Sequence, residues 1–509
     1  MTTNLHLFTL KFIRINSIRR KPNRIPTIVE ALIANPFWAN SVSAHGFAFR
    51  YDLPLPLNFY LIGAGAAVCF SFVVMAYVLQ SRTMLDSYRI SLTRFIPHIN
   101  ISQAALILIR LISIFLLLLI IISGLFGNQS PLKNFAPVTV WVIWWVGFVY
   151  ITSFVANTWP IVNPWSSIFQ AVEQLSGKSF GKTPYPDWLG VWPALVLFIL
   201  FTWIELVWSG SEQPRLLAIT IVSYSVLCWT GMAVYGHQTW LQRAEIFSII
   251  FAIFARFSPL ETNRSQGGPY LRPYGVGLLS RQPPSISLTA FVVTMLATVT
   301  FDGFMETSIW LEIKTGVLST ASLVPSLLLV RGVFGNLDSV LETIGLMSAP
   351  IAFLSVYLVT CWMISRIDSI RGNRNSLSIT TIMAARWFVL SLVPIAIAYH
   401  LAHYLSYFLI AGQLFIPLLS DPLGLGWDLF NTASHRVNIG IINAKTVWHI
   451  SIVVIVLGHV IAVYLAHVTA VRVLEDRRRA LASQLPMIAL MVGYTSVSLW
   501  ILAQPIVET

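Results

Sequence analysis

Seven side chains in this 509-residue sequence could bind a metal ion or a proton and stand where such chemistry must be considered: His45, Asp302, Glu306, His400, His403, His449 and His459. The run YHLAHYLSYF places His400 and His403 three residues apart. On a helix turning about 100° per residue their rings project from one face, roughly 60° apart, which suits two ligands to one ion. Imidazole with carboxylate suits a divalent metal such as Zn or Cu. The cysteines, Cys69, Cys228 and Cys361, lie singly in apolar runs and offer no paired thiolate site. Other readings stay open on the residues alone. The histidines can bond neighbouring helices through their ring nitrogens, relay protons, or hold haem b between His400 or His403 and His459. Asp302 and Glu306 are four apart and share a helix face, provided Gly303 does not end the helix first.

The elements that position these groups are membrane-spanning helices. Hydrophobic residues make up 56% and charged residues 10% of the chain, and its mean hydropathy is +0.75, whereas soluble domains carry about 25% charged residues. A bilayer core about 30 Å thick takes about 20 apolar helical residues. Ten segments qualify: 57–79, 104–126, 136–156, 189–208, 215–236, 285–303, 339–364, 380–412, 446–471 and 485–504. Segments 163–175 and 240–257 mix apolar and polar residues at helical spacing and are expected along the interface. Segment 317–330 contains Pro325 and is short for a span, which suits a re-entrant or external helix. The fold class is therefore all-α, a polytopic bundle of about ten spans with one or two interfacial or re-entrant helices. The net charge of +12 lies in short connections between apolar runs, so bilayer lipid is the expected partner and nucleic acid is not.

Charge also orients the bundle. Alternate connections are rich in basic residues, among them Arg82, Arg89 and Arg94, Arg264, Arg272 and Arg281, and Arg477, Arg478 and Arg479. The intervening connections are poor in them, and the positive-inside rule puts the rich set in the cytoplasm. The residue 50 region and the C-terminus are then extracytoplasmic, in an inner or plasma membrane. Arg110 and Arg386 fall near cytoplasmic span ends, where snorkelling accommodates them. Residues 1–44 carry a basic stretch, a modest apolar stretch and Val42-Ser43-Ala44, the pattern of a signal peptide. Cleavage after Ala44 would make His45 the N-terminal residue, with an imidazole and an α-amine able to chelate copper. In this topology Glu205, Asp302, Glu306, His400, His403 and His449 collect toward the outer face, and His459 lies mid-span. Ionisable groups inside a membrane mark a functional site by default.

Several strings give the chain a resemblance: AHGFAFRYDLPLPL (44–57), the turn Asn163-Pro164-Trp165, VTFDGF (299–304), HLAHYLSYFLIAGQ (400–413), GWDLF (426–430), GHVIAVYLAH (458–467) and SLWILAQPIVE (498–508). Together they resemble a group of bacterial polytopic membrane proteins, some labelled fenitrothion hydrolase, over residues 44–508. The resemblance implies hydrolysis of an organophosphate ester, an apolar small-molecule substrate arriving through lipid. A metal held by His400, His403 and Asp302 would activate water for such a reaction. P-loop, G-x-S-x-G, H-E-x-x-H and C-x-x-C-H motifs are missing from the sequence. The competing expectation is a transporter of a metal ion or small solute, since a polar cluster near one end of ten spans also describes an entry site.

Overall fold

Apolar runs of this length have one stable form in hydrocarbon, because each backbone N–H and C=O must be bonded within its own segment. The computed structural model describes residues 53–78, 89–92, 102–263, 268–320, 322–371, 378–474 and 476–504, and it is almost entirely helical. Ten of its helices are long and apolar enough to cross a membrane. They are α1 (Leu57–Val78), α2 (Gln103–Phe126), α3 (Phe135–Phe154), α5 (Trp192–Leu206), α6 (Pro214–Tyr235), α9 (Ile286–Met305), α12 (Leu337–Arg371), α13 (Thr381–Ser420), α14 (Ala444–Val473), and α15 (Arg477–Ser483) running on into α16 (Leu485–Ala503). Most ends fall within a few residues of those read from hydropathy. The chain is an all-α, polytopic integral membrane protein.

Helix α12 outruns its expected span because Asp368 is neutralised inside the protein. Its Oδ1 accepts from Arg479 Nε at 2.8 Å and Nη2 at 2.7 Å, and its Oδ2 from the Ile379 N–H at 2.9 Å. A second carboxylate, Glu245, is wholly buried. It caps α8 (Ile246–Phe254), accepting from the backbone N–H groups of Phe247 and Ser248 and from Tyr224 Oη at 2.7 Å. With its first turn satisfied this way, α8 sinks into the bundle against α3, α5 and α13, which corrects the interfacial expectation for residues 240–257. The segment around 163–175 forms α4 (Pro164–Ser176), with Trp165 and Phe169 on a buried face and its C-terminal turn exposed, as an interfacial helix should be. Segment 317–330 is divided between α10 (Ser308–Ser319) and α11 (Val324–Phe334). Pro325 opens α11, where its missing N–H breaks no helical bond. Arg386 reaches the connection before α9, where its Nε donates to the Pro284 carbonyl at 2.6 Å.

Successive spans alternate in direction, so the bundle has two chemically different ends. One holds Leu206, Met305 and Leu337, with Lys314 between Asp338 and Glu342 at 3.6 and 3.7 Å. The other holds the Asp368–Arg479 pair and a three-stranded antiparallel sheet, β1 (Ile90–Ser91), β2 (Leu260–Asn263) and β3 (Gly268–Leu271), in the order β1-β3-β2. There Glu261 bridges Arg89 and Arg272. Helices α13 and α14 are the most extensively packed pair. Gly458 sets their separation, since a Cβ there would lie 2.4 Å from Ala398 Cβ and 2.9 Å from the Pro394 carbonyl oxygen.

Candidate functional site

Three local features bring polar side chains together inside the first end of the bundle. Helix α9 carries Asp302 one turn before its end. Helix α13 tightens to a 3-10 turn at Val389–Leu392, ahead of Pro394, before the segment that carries His400, His403 and Tyr404. Helix α3 widens to a π-helix over Val138–Gly147, a form usually confined to single turns at functional sites. That widening carries Trp145 to the same place.

Asp302, 4% exposed, is the centre of the cluster. Its Oδ2 accepts from Tyr404 Oη and is 3.0 Å from His403 Nε2, so the His403 proton sits on Nε2 when this bond is made. Glu306 caps the same helix and lies within electrostatic reach of Asp302, His403 and Lys314. Its side chain touches the surface, yet crowding by protein raises its carboxyl above the usual value. Asp302 adds to the rise, and His403 and Lys314 oppose it.

His400, 5% exposed, faces a cavity of about 40 Å³ together with Glu205, Asp302, Trp145, Thr298 and Tyr404. That volume takes about two or three water molecules. Trp145 and Tyr150 hold the imidazole edge-on, with ring centroids at 6.2 and 5.7 Å. His400 Nε2 is buried with no hydrogen-bond partner among the described residues. Such an atom costs about 1–3 kcal/mol, so a water, proton or ion that satisfied it would be bound with advantage.

From this cavity a row of buried polar groups leads toward the opposite end. Tyr399 packs against His403 and turns its hydroxyl to Gly303, where a Cβ would lie 2.3 Å from Oη. Tyr494 bonds Thr300 and lies 5.7 Å, ring to ring, from His459. His459 is fully buried; Nδ1–H donates to the Ile455 carbonyl at 2.9 Å, and Nε2 has no partner among the described residues. Eight residues on, about 12 Å along α14, His467 Nδ1 lies 3.0 Å from Gln484 Oε1, and its Nε2 is likewise buried and unpartnered.

The site residues read from sequence thus divide. Asp302 and His403 touch, His400 lines a cavity with Asp302, Glu306 stands beside them, and His459 lies deeper along the polar row. His449, at the start of α14, is exposed, with Nδ1 2.7 Å from the Lys445 carbonyl oxygen. His45 and the proposed cleavage point lie outside the described residues. Among the described residues no group of three or more His, Cys, Asp or Glu side chains is placed to hold a metal ion. Tyr404, Tyr399, Trp145 and Tyr494 join the site although their residue types alone do not mark them, and Glu205 lines its cavity. Helical spacing offered one signal, since Tyr399 and His403 are four apart and must share a face.

Fold and site together define a polytopic α-helical membrane protein with an acid–histidine cluster enclosed near one end of its bundle. No family model, curated protein or solved structure matches the chain.

Proposed function

We propose that this protein translocates protons, taking them up at the Asp302–His403 cluster and passing them along the buried row through Tyr399, Tyr494 and His459 toward His467. The observation that carries this reading is that three imidazoles, those of His400, His459 and His467, each keep a buried Nε2 with no hydrogen-bond partner among the described residues. An imidazole nitrogen so placed can accept a proton on one side of the ring while the other side donates. Transient water completes the two turns between His459 and His467. The distribution of basic residues supports an extracytoplasmic Asp302 and a cytoplasmic Gln484. The test is proton flux into liposomes loaded with a pH-sensitive dye. Wild-type vesicles are expected to equilibrate faster than empty ones and Asp302→Asn vesicles to behave as empty; equal rates for wild type and Asp302→Asn would overturn the reading.

A second reading, metal-dependent hydrolysis or metal transport, is favoured by the shared cavity of His400, Asp302 and Glu205. A Zn or Cu ion there would draw the His400 and His403 nitrogens and the carboxylates together and activate one of the waters the cavity can hold. Protein purified in detergent would then carry about one metal per chain, and His403→Ala would lose it. Metal-free wild-type protein that takes up none of either ion excludes this reading.

A further inference from the structure

A second and much larger cavity lies on the other face of α5. Its volume is about 750 Å³, and its walls come from α2, α3, α5, α6 and α8. Helix α5 is the partition. Leu197, Leu200, Phe201 and Ile204 face the large cavity, while Phe198, Thr202 and Glu205 face the acid–histidine cavity, as the 3.6-residue period requires. Trp145, which lines the acid–histidine cavity, meets Phe201, which lines the large one, edge-on with ring centroids 4.7 Å apart.

Helix α5 packs chiefly on α9 and α8, and α6 chiefly on α2 and α7 (His237–Arg243), so the two chain neighbours have different principal partners. Leu200 and Ile219, on the cavity-facing helices α5 and α6, are 50% and 48% exposed. An apolar space of this size beside a bilayer fills from the bilayer, because unfilled volume forfeits dispersion contacts in proportion to its size. The chemistry of the walls narrows the occupant. Trp144, Phe148, Trp159, Trp165 and Phe247 supply rings, and among the described residues no Asp, Glu, Lys, Arg or His lines the cavity. The one titratable wall group, Tyr224, already donates its hydroxyl to Glu245. Ser113, Thr220 and Ser223 close their hydroxyls on their own helices. Thr139 does not: it is 7% exposed, lines the cavity, and its Oγ1 has no partner among the described residues.

We infer that this cavity is a lateral binding site for one uncharged lipid-borne amphiphile, a long apolar body with a single hydroxyl or carbonyl group that bonds Thr139, delivered from the bilayer between α5 and α6. The site stands independently of the proton reading, although α5 puts its ligand one side chain away from Glu205.

The test uses full-length protein in lipid nanodiscs with a diazirine-bearing hexadecanol, and diazirine-bearing hexadecane as control. Labelling by the alcohol should map to residues 109–120 and 217–227 and be competed by plain hexadecanol. Leu200→Trp, a change at a lipid-exposed position that keeps the fold, should lower that labelling several-fold by filling the cavity. Thr139→Val should weaken half-saturation by the alcohol about five- to tenfold, the worth of one hydrogen bond, and leave hexadecane labelling unchanged. Equal labelling by hydrocarbon and alcohol with no effect of Thr139→Val would mean that ordinary acyl chains fill the space, and unchanged labelling in Leu200→Trp would put the ligand elsewhere; either result overturns the inference.

Discussion

Removing Arg479 gives the most quantitative test of the bundle's construction. Asp368 is fully buried and receives two of its three hydrogen bonds from that guanidinium, at 2.8 and 2.7 Å, and the third from the Ile379 N–H at 2.9 Å. Arg479→Met leaves a buried carboxylate with one backbone donor, and breaking a buried pair from one side costs about 3–5 kcal/mol. Replacing both partners with apolar residues removes the uncompensated charge and is expected to be near neutral. Arg479→Lys keeps the charge and loses the fork geometry, so it should fall between them. The assay is the unfolding midpoint in mixed micelles titrated with sodium dodecyl sulfate, read by tryptophan fluorescence, for the two single variants and the Asp368→Leu/Arg479→Met double variant. A single variant within about 0.5 kcal/mol of wild type, or a double variant less stable than Arg479→Met, would refute the reasoning.

Tyr404→Phe removes a hydroxyl donor to the Asp302 carboxylate and should cost about 1.5–3 kcal/mol, the range for a hydrogen bond to a charged group, in the same unfolding assay. Gly458→Ala forces α13 and α14 apart against backbone and should cost about 1–3 kcal/mol as overpacking, whereas Gly493→Ala, with open space around it, should cost little. The Glu306 carboxyl is raised by burial first, so the folded state holds its proton more tightly than the unfolded chain does. Its stabilising contribution is present below the unfolded pKa and is lost as pH rises through the folded value; wild type should lose stability relative to Glu306→Gln over that interval, and parallel profiles would count against a raised value. Single cysteines at Lys314 and Arg478 should react with an impermeant reagent from outside and only after lysis, respectively, and the reverse pattern would invert the proposed orientation.

The spans were legible because hydrocarbon demands about 20 apolar residues in each, and the sequence meets that demand ten times. Helix α8 was not legible, since its burial depends on Glu245 finding Tyr224 from another helix, a pairing that hydropathy does not encode. The same holds for the end of α12, where Asp368 looks like a stop and is instead paired with Arg479. At the site, the cost of intramembrane charge singled out Asp302, His400, His403 and His459. Tyr404 and Trp145 carry no charge and so incur no such cost; the turn of α13 and the π-helix of α3 bring them to the cavity. His449 was grouped with them by sequence position near a span end, but its face of α14 points outward.

His459 gives the most direct test of the proton pathway, because it lies in the middle of the buried row and makes no contact with the Asp302 carboxylate. In dye-loaded liposomes, His459→Phe keeps ring volume and removes both nitrogens, and His459→Gln keeps a hydrogen-bonding group without the titratable ring. Both variants are expected to insert normally and to reduce the proton flux to that of empty vesicles. Flux at the wild-type rate in His459→Phe would contradict the account, because protons would then cross without the imidazole that the proposed route places between Tyr494 and His467.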